Sequence, residues 1–307
     1  MSKSKKPFTD HQSPITNNHT PFTKFWKPLF AVAVWGFSFI ATKHALAEIK
    51  PLVIILIRQL LGISLLTFLA VKTKKSFAIN IHDLGWIVLL ALIASFHLWI
   101  QVTGLQYTTA SNTGWIIGLA PVFMTLLGFF FFKENIGAVQ ISGIVIAFFG
   151  LLLLIGKGNF SSIDFISNKG DFLILASSFT WAVYSLVGKK ITLSYSPMMT
   201  ILFLFVMMSI LVAPFTINQA NIDAVFHLSL LSWIAILFLG IFCSGIAYVL
   251  WAQALNEMSS SKVGAFLYLE PFVTFFSAWL LLNEHITALT LLSGLIIIGG
   301  VVLVNRK

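Results

Sequence analysis

The chain has 307 residues, of which 58% are hydrophobic and 9% charged, and its mean hydropathy is +0.95. An average soluble domain carries about 25% charged residues, so a water-soluble globular protein is excluded and lipid is the expected solvent. The net charge of +9 does not point to nucleic acid, because the positive residues lie mostly in short segments between apolar runs, where they act as topology signals.

Residues 1–25 are polar, with Lys3, Lys5, Lys6 and Pro21, and lack a small-residue cleavage site. They read as a disordered cytoplasmic tail. Ten apolar runs follow, each near the roughly 20 residues a spanning helix needs. In order they cover 27–45, 51–71, 84–104, 111–132, 136–155, 170–188, 197–215, 230–255, 261–282 and 286–304. Pro28 and Pro51 mark the starts of the first two. Polar links 156–169 and 216–227 are the longest gaps. The lone cysteine, Cys243, sits inside an apolar run, which excludes an internal disulfide and suggests no metal cluster; no cofactor is expected.

With the N-terminus in the cytoplasm, fourteen lysines and arginines fall on that side and three, Lys50, Lys157 and Lys169, on the other. That bias fits ten spans with both termini inside.

The chain also repeats itself. Ser111–Glu134 and Ser261–Glu284 keep Ser, Gly, Pro and Glu in register at an offset of 150, and Trp35 and Lys43 match Trp181 and Lys189 at 146. Five helices per unit is an odd number, so the second unit runs in the opposite direction through the membrane. The expected fold is therefore an all-α membrane protein of ten transmembrane helices in two inverted five-helix repeats. Its units are a tail at 1–25, a first repeat at 26–156, a linker at 157–169 and a second repeat at 170–305.

One difference breaks the match. Glu270 precedes Pro271, whereas Ala120 precedes Pro121. A charge near a helix centre in lipid is unfavourable by about 2.5–3.5 kcal/mol on insertion scales, so an acid there calls for a role. Glu270 is a candidate proton or substrate-amine site; the bland alternative is an ion pair with Arg58 or Lys43. Arg58, two turns into its helix, could hold a carboxylate or phosphate. Lys43 is either a cavity-mouth residue or a snorkelling one. His97 and Gln101, four apart, share a helix face; the histidine is a candidate pH sensor or a neutral packing group. With Trp35, Trp115, Tyr248, Trp251 and Tyr268 they would suit a cavity for an amphipathic or aromatic solute, although Trp and Tyr also anchor interfaces. Glu134 and Glu284 read as solvated helix ends.

The run Trp35-Gly36-Phe37-Ser38-Phe39 through Lys43, the Pro51 to Arg58 segment, and the Gly-x6-Pro blocks ending in Lys133-Glu134 and Asn283-Glu284 resemble the EamA-type branch of the drug/metabolite transporter superfamily. The resemblance spans about Phe25 to Val304. It implies a ten-helix carrier of the bacterial inner membrane, often an exporter, with substrates among amino acids, other metabolites or drugs. Many relatives carry Ser or Thr where this chain has Ala120.

No HExxH, Walker lysine loop, GxSxG or carboxylate pair is present, so an enzyme is not expected. The leading expectation is a secondary transporter of small organic metabolites working by alternating access. The alternative is a non-transporting intramembrane enzyme, or a lipid-handling or assembly factor on the same frame. Expected partners are a small-molecule substrate, membrane lipid and, as a candidate coupling ion, the proton; the oligomeric state is left open.

Overall fold

The structure is a computed structural model that describes residues 22–132, 137–159, 168–191, 193–258, 263, 265–285 and 287–304. Residues 1–21 of the expected N-terminal tail, Glu134 and the Lys189 side chain lie outside the described residues, while 22–25 already belong to the first helix. Among those described, every regular element is helical. The helices are α1 (Phe22–Leu46), α2 (Pro51–Lys72), α3 (Ile81–Gln106), α4 (Ala110–Ile117), α5 (Ala120–Phe132), α6 (Ala138–Ile155), α7 (Lys169–Lys190), α8 (Pro197–Thr216), α9 (Gln219–Phe226), α10 (Leu230–Phe238), α11 (Tyr248–Glu257), α12 (Glu270–Leu282) and α13 (Ala288–Val304). A π-helical stretch, Leu239–Ala247, joins α10 to α11, and a 3-10 turn, Ala265–Leu269, leads into α12.

Among the described residues, eight helical segments are long and apolar enough to cross a membrane, and two further apolar ones, Phe266–Leu282 and Ala288–Val304, are shorter. Large apolar side chains such as Phe68, Val145 and Phe276 are exposed on the outside of the bundle. In water that surface would be a liability; against lipid it is the expected finish.

Three features depart from the expected runs. First, α1 continues back through Pro28, which lies inside the helix. Second, the link at 216–227 contains α9. Its cap is Asn218, whose side chain accepts the Asn221 backbone N–H at 3.0 Å, and Gln219 bonds Asp223 one turn on at 2.8 Å. Third, the two Gly-Pro runs are not continuous α-helices. The first breaks between α4 and α5, where Pro121 lacks the N–H that would reach the Ile117 carbonyl. Ser178 Oγ lies 3.4 Å from that carbonyl instead. The second changes from 3-10 to α geometry at Glu270, one residue before Pro271.

The two breaks meet. A Cβ on Gly118 would stand 3.0 Å from Pro271 Cγ, and one on Gly114 would stand 2.8 Å from Thr274 Cβ. Small residues at these positions let the broken helices cross closely. Elsewhere α6 packs along α13, α3 along α7 and α2 along α8, while α1 lies against α12 and the α10–α11 segment. Two hydrophobic clusters result. The larger joins α1, α2, α3, α8 and the α10–α11 segment; the smaller joins α4, α6, α12 and α13 with part of α1.

Candidate functional site

The convergence of α1, α2, α3, α7, α11 and the α12 break leaves a narrow cavity that is open on one side. Trp35 and Ser38 come from α1, Arg58 from α2, His97 and Gln101 from α3, Trp181 from α7, Tyr248 from α11 and Glu270 from α12. Ile117 and Leu267, at the two helix breaks, complete part of the wall. Leu267 is four residues before Pro271, so its carbonyl has lost its α-helical donor.

Arg58 is 4% exposed. Its Nε donates to Ser244 Oγ at 2.9 Å, and among the described residues its terminal nitrogens have no protein acceptor. Glu270 is 5% exposed, and its carboxylate has no donor among the described residues. The two do not form an ion pair; among the described residues the pair that forms is Lys27–Glu257. A buried acid and a buried guanidinium thus face one cavity, with hydrogen-bonding capacity left over among the described residues. Burying a charge without a partner is costly, which makes Arg58 and Glu270 the candidate groups for contacting a polar solute.

His97 Nδ1 lies 3.0 Å from the Ser177 carbonyl. A carbonyl only accepts, so Nδ1 carries the proton, and in the neutral ring Nε2 is the bare acceptor. The imidazole rests on Trp181, with ring centroids 5.3 Å apart. Trp35 meets Trp181 edge-on at 5.6 Å and Tyr248 edge-on at 5.4 Å, the geometry that opposed ring quadrupoles favour. Trp35 is oriented by its Nε1–H, which donates to the Cys243 carbonyl at 3.3 Å. Together these rings form an apolar box beside an acid and a base, suited to a solute with an apolar body and polar ends.

Of the residues singled out in the sequence, Trp35, Arg58, His97, Gln101, Tyr248 and Glu270 line this cavity. Trp251 lies behind it, packed on Trp35 at 5.2 Å. Trp115 is elsewhere, buried between Phe272, Phe275 and the backbone of Gly294. Tyr268 donates its hydroxyl to the Val301 carbonyl at 3.2 Å. Lys43 sits half-buried at the end of α1, within electrostatic reach of Glu284. The single hydroxyl proton of Thr274 is shared between the Gly36 and Glu270 carbonyls, each 2.9 Å away, so Thr274 serves the α1–α12 seam. Glu284 is not a solvated turn. Its carboxylate accepts the backbone N–H groups of Ala110 (2.8 Å) and Ser111 (3.1 Å) and the Ser111 hydroxyl (2.6 Å), capping α4 from another segment.

Ser38, Trp181 and Ser244 were not anticipated. Trp181 had a signal, since it is the repeat counterpart of Trp35.

A family model, that of the EamA-like transporter family, matches residues 27–156 and 168–306. The chain belongs to the EamA-like transporter family. An EamA-like transporter is a membrane carrier and not an enzyme. Its relatives include an uncharacterized transporter of Archaeoglobus fulgidus, 33% identical over 281 residues, covering 89% of this chain and 94% of that one. A probable amino-acid metabolite efflux pump of Escherichia coli is 26% identical and covers 89% of this chain and 91% of its own. A solved crystal structure shares the fold with a TM-score of 0.64 at 16% identity, covering 92% of this EamA-like chain and 96% of that one. The cavity of this EamA-like transporter is therefore the candidate place for a small-molecule substrate.

Proposed function

We propose that this EamA-like transporter is a secondary carrier, acting as an exporter, for small zwitterionic metabolites of the amino-acid type. The observation that carries the reading is the guanidinium of Arg58 and the carboxyl of Glu270 at one aromatic-walled cavity, neither with an ion-pair partner among the described residues. A substrate carboxylate would take the free edge of the Arg58 guanidinium in bidentate fashion. A substrate ammonium would take the Glu270 carboxylate, with Trp35, Trp181 and Tyr248 holding the apolar portion and favouring the cation through their ring faces. Glu270 and the free Nε2 of His97 are also the candidate proton carriers for coupling. The efflux pump among the relatives is named for amino-acid metabolites, which agrees in substrate class.

Ten spans in two inverted halves, 26–156 and 170–305, would rock about this cavity to expose it to each side in turn. The packing supports that reading, because contacts occur in symmetry-like pairs: α2 with α8, α6 with α13, and α3 with α7 as α1 with the α10–α11 segment. Both termini would be cytoplasmic, in a bacterial inner membrane, as the lysine and arginine bias favours.

Reconstitution into liposomes with a panel of labelled amino acids and their decarboxylated amines tests the proposal. Saturable flux of zwitterions, lost on Arg58→Gln and on Glu270→Gln, is expected. Saturable flux unchanged by both substitutions contradicts it.

A further inference from the structure

The π-helical stretch Leu239–Ala247 interrupts a segment that is α-helical on both sides. Such insertions are rare and concentrate at functional sites, because the widened turn redirects side chains that an α-helix would aim elsewhere. Here the stretch lies against α2 at very short range. A Cβ on Gly240 would stand 2.4 Å from Leu61 Cβ, one on Gly245 would stand 2.8 Å from Leu65 Cδ2, and one on Gly62 would stand 3.3 Å from Ser244 Cβ. That approach brings Ser244, 2% exposed, to Arg58, which lies one turn before Gly62. The same stretch supplies the Cys243 carbonyl that orients Trp35.

We propose that Ser244 is a positioning residue that fixes the plane of the Arg58 guanidinium and so makes the cavity selective for solutes bearing a carboxylate. The guanidinium is planar and its five N–H groups point in fixed directions. Tying Nε to Ser244 Oγ at 2.9 Å therefore sets where the two terminal nitrogens point. Those nitrogens are the ones left without an acceptor among the described residues. Without Ser244 the guanidinium is free to turn, and its buried Nε–H loses its acceptor. This role rests on the zwitterion-carrier reading above and goes beyond it by assigning the selectivity to a residue that does not line the cavity.

The test uses the full chain in detergent, with L-phenylalanine and phenethylamine as probes and quenching of the intrinsic tryptophan fluorescence as the readout. Three of the tryptophans, Trp35, Trp181 and Trp251, cluster at the site. Ser244→Ala is expected to weaken phenylalanine binding about tenfold, the size of one lost hydrogen bond to a charged group. Phenethylamine, which lacks the carboxylate, should bind as before. In an Arg58→Gln background, Ser244→Ala should add no further loss. Ser209→Ala is the control. Ser209 is another buried serine bonded to α2, at 3.3 Å from Gln59, the residue beside Arg58. It should leave both probes unaffected. Equal weakening of both probes by Ser244→Ala, or of neither, overturns the proposal while leaving the carrier reading intact. Wild-type protein that binds neither probe contradicts the carrier reading and the role of Ser244 together.

Discussion

Arg58 and Glu270 line the same cavity but are not an ion pair, although both are almost fully buried. An internal pair would have satisfied both charges and closed the site. Under the proposed carrier role, holding them apart would keep each available to a solute and would account for an acid that occurs in only one of two otherwise matched segments.

Glu270→Gln preserves the shape of the side chain and removes its charge. It should abolish saturable flux of a zwitterion while leaving expression and thermal stability near wild type, because the carboxylate makes no hydrogen bond to the described residues that the amide would break. Flux in liposomes and a melting curve in detergent check this together.

The α6–α13 seam is the least forgiving place in the bundle. A Cβ on Gly300 would stand 2.4 Å from the Ala147 backbone nitrogen, and one on Gly143 would stand 2.6 Å from the Gly300 carbonyl oxygen. Backbone cannot rotate away as a side chain can, so the helices must separate. Gly300→Ala should destabilise the protein by about 1–3 kcal/mol, the usual range for overpacking. Gly299→Ala, one position along with nothing within 4 Å, is the matched control and should cost little. Thermal unfolding in detergent distinguishes the two.

Glu284 closes the N-terminus of α4 by accepting two backbone N–H groups and the Ser111 hydroxyl. Replacement by alanine leaves those donors without this acceptor. A loss of about 0.5–2 kcal/mol is expected, as for other helix caps, together with faster amide hydrogen exchange at Ala110 and Ser111.

Glu48, in the turn after α1, does the same for α10, accepting the Ser229 N–H at 2.8 Å, the Ser229 hydroxyl at 2.5 Å and the Ser232 hydroxyl at 2.7 Å. The bonds from Ser229 and Ser232 hold its pKa below the ordinary value of 4.5. A carboxylate with a depressed folded pKa stabilises the fold fully above its unfolded value. That contribution is lost as pH falls through the lower, folded one. The difference in melting temperature between wild type and Glu48→Gln should therefore be constant above about pH 5 and shrink below about pH 4.

Much of this architecture was legible because lipid imposes simple demands: long apolar runs, lysine and arginine bias, and Pro or Gly where a helix gives way. Trp35, Arg58, His97, Gln101, Tyr248 and Glu270 stand out in the sequence because polar and amphipathic groups at membrane depth need a reason, and the structure places them around one cavity. What the sequence withheld was facing direction. Trp115 and Tyr268 have the same chemistry as Trp35 and Tyr248, but the close approach at Gly294 and the carbonyl of Val301 turn them into the α12–α13 seam. The π-helical stretch has no sequence pattern of its own, and the close approach of its Gly240 and Gly245 to α2 is a tertiary contact. The capping roles of Glu48 and Glu284 likewise depend on partners more than 170 residues away in the chain.

Counterflow tests the central claim most directly: a single cavity, charged by Glu270 and Arg58, that opens to each side in turn. Liposomes loaded with unlabelled L-phenylalanine are diluted into labelled L-phenylalanine. Transient accumulation of label above equilibrium is expected in wild type, and none in Glu270→Gln or Arg58→Gln. Entry of label that is indifferent to the internal solute, or counterflow that survives both substitutions, would contradict the account.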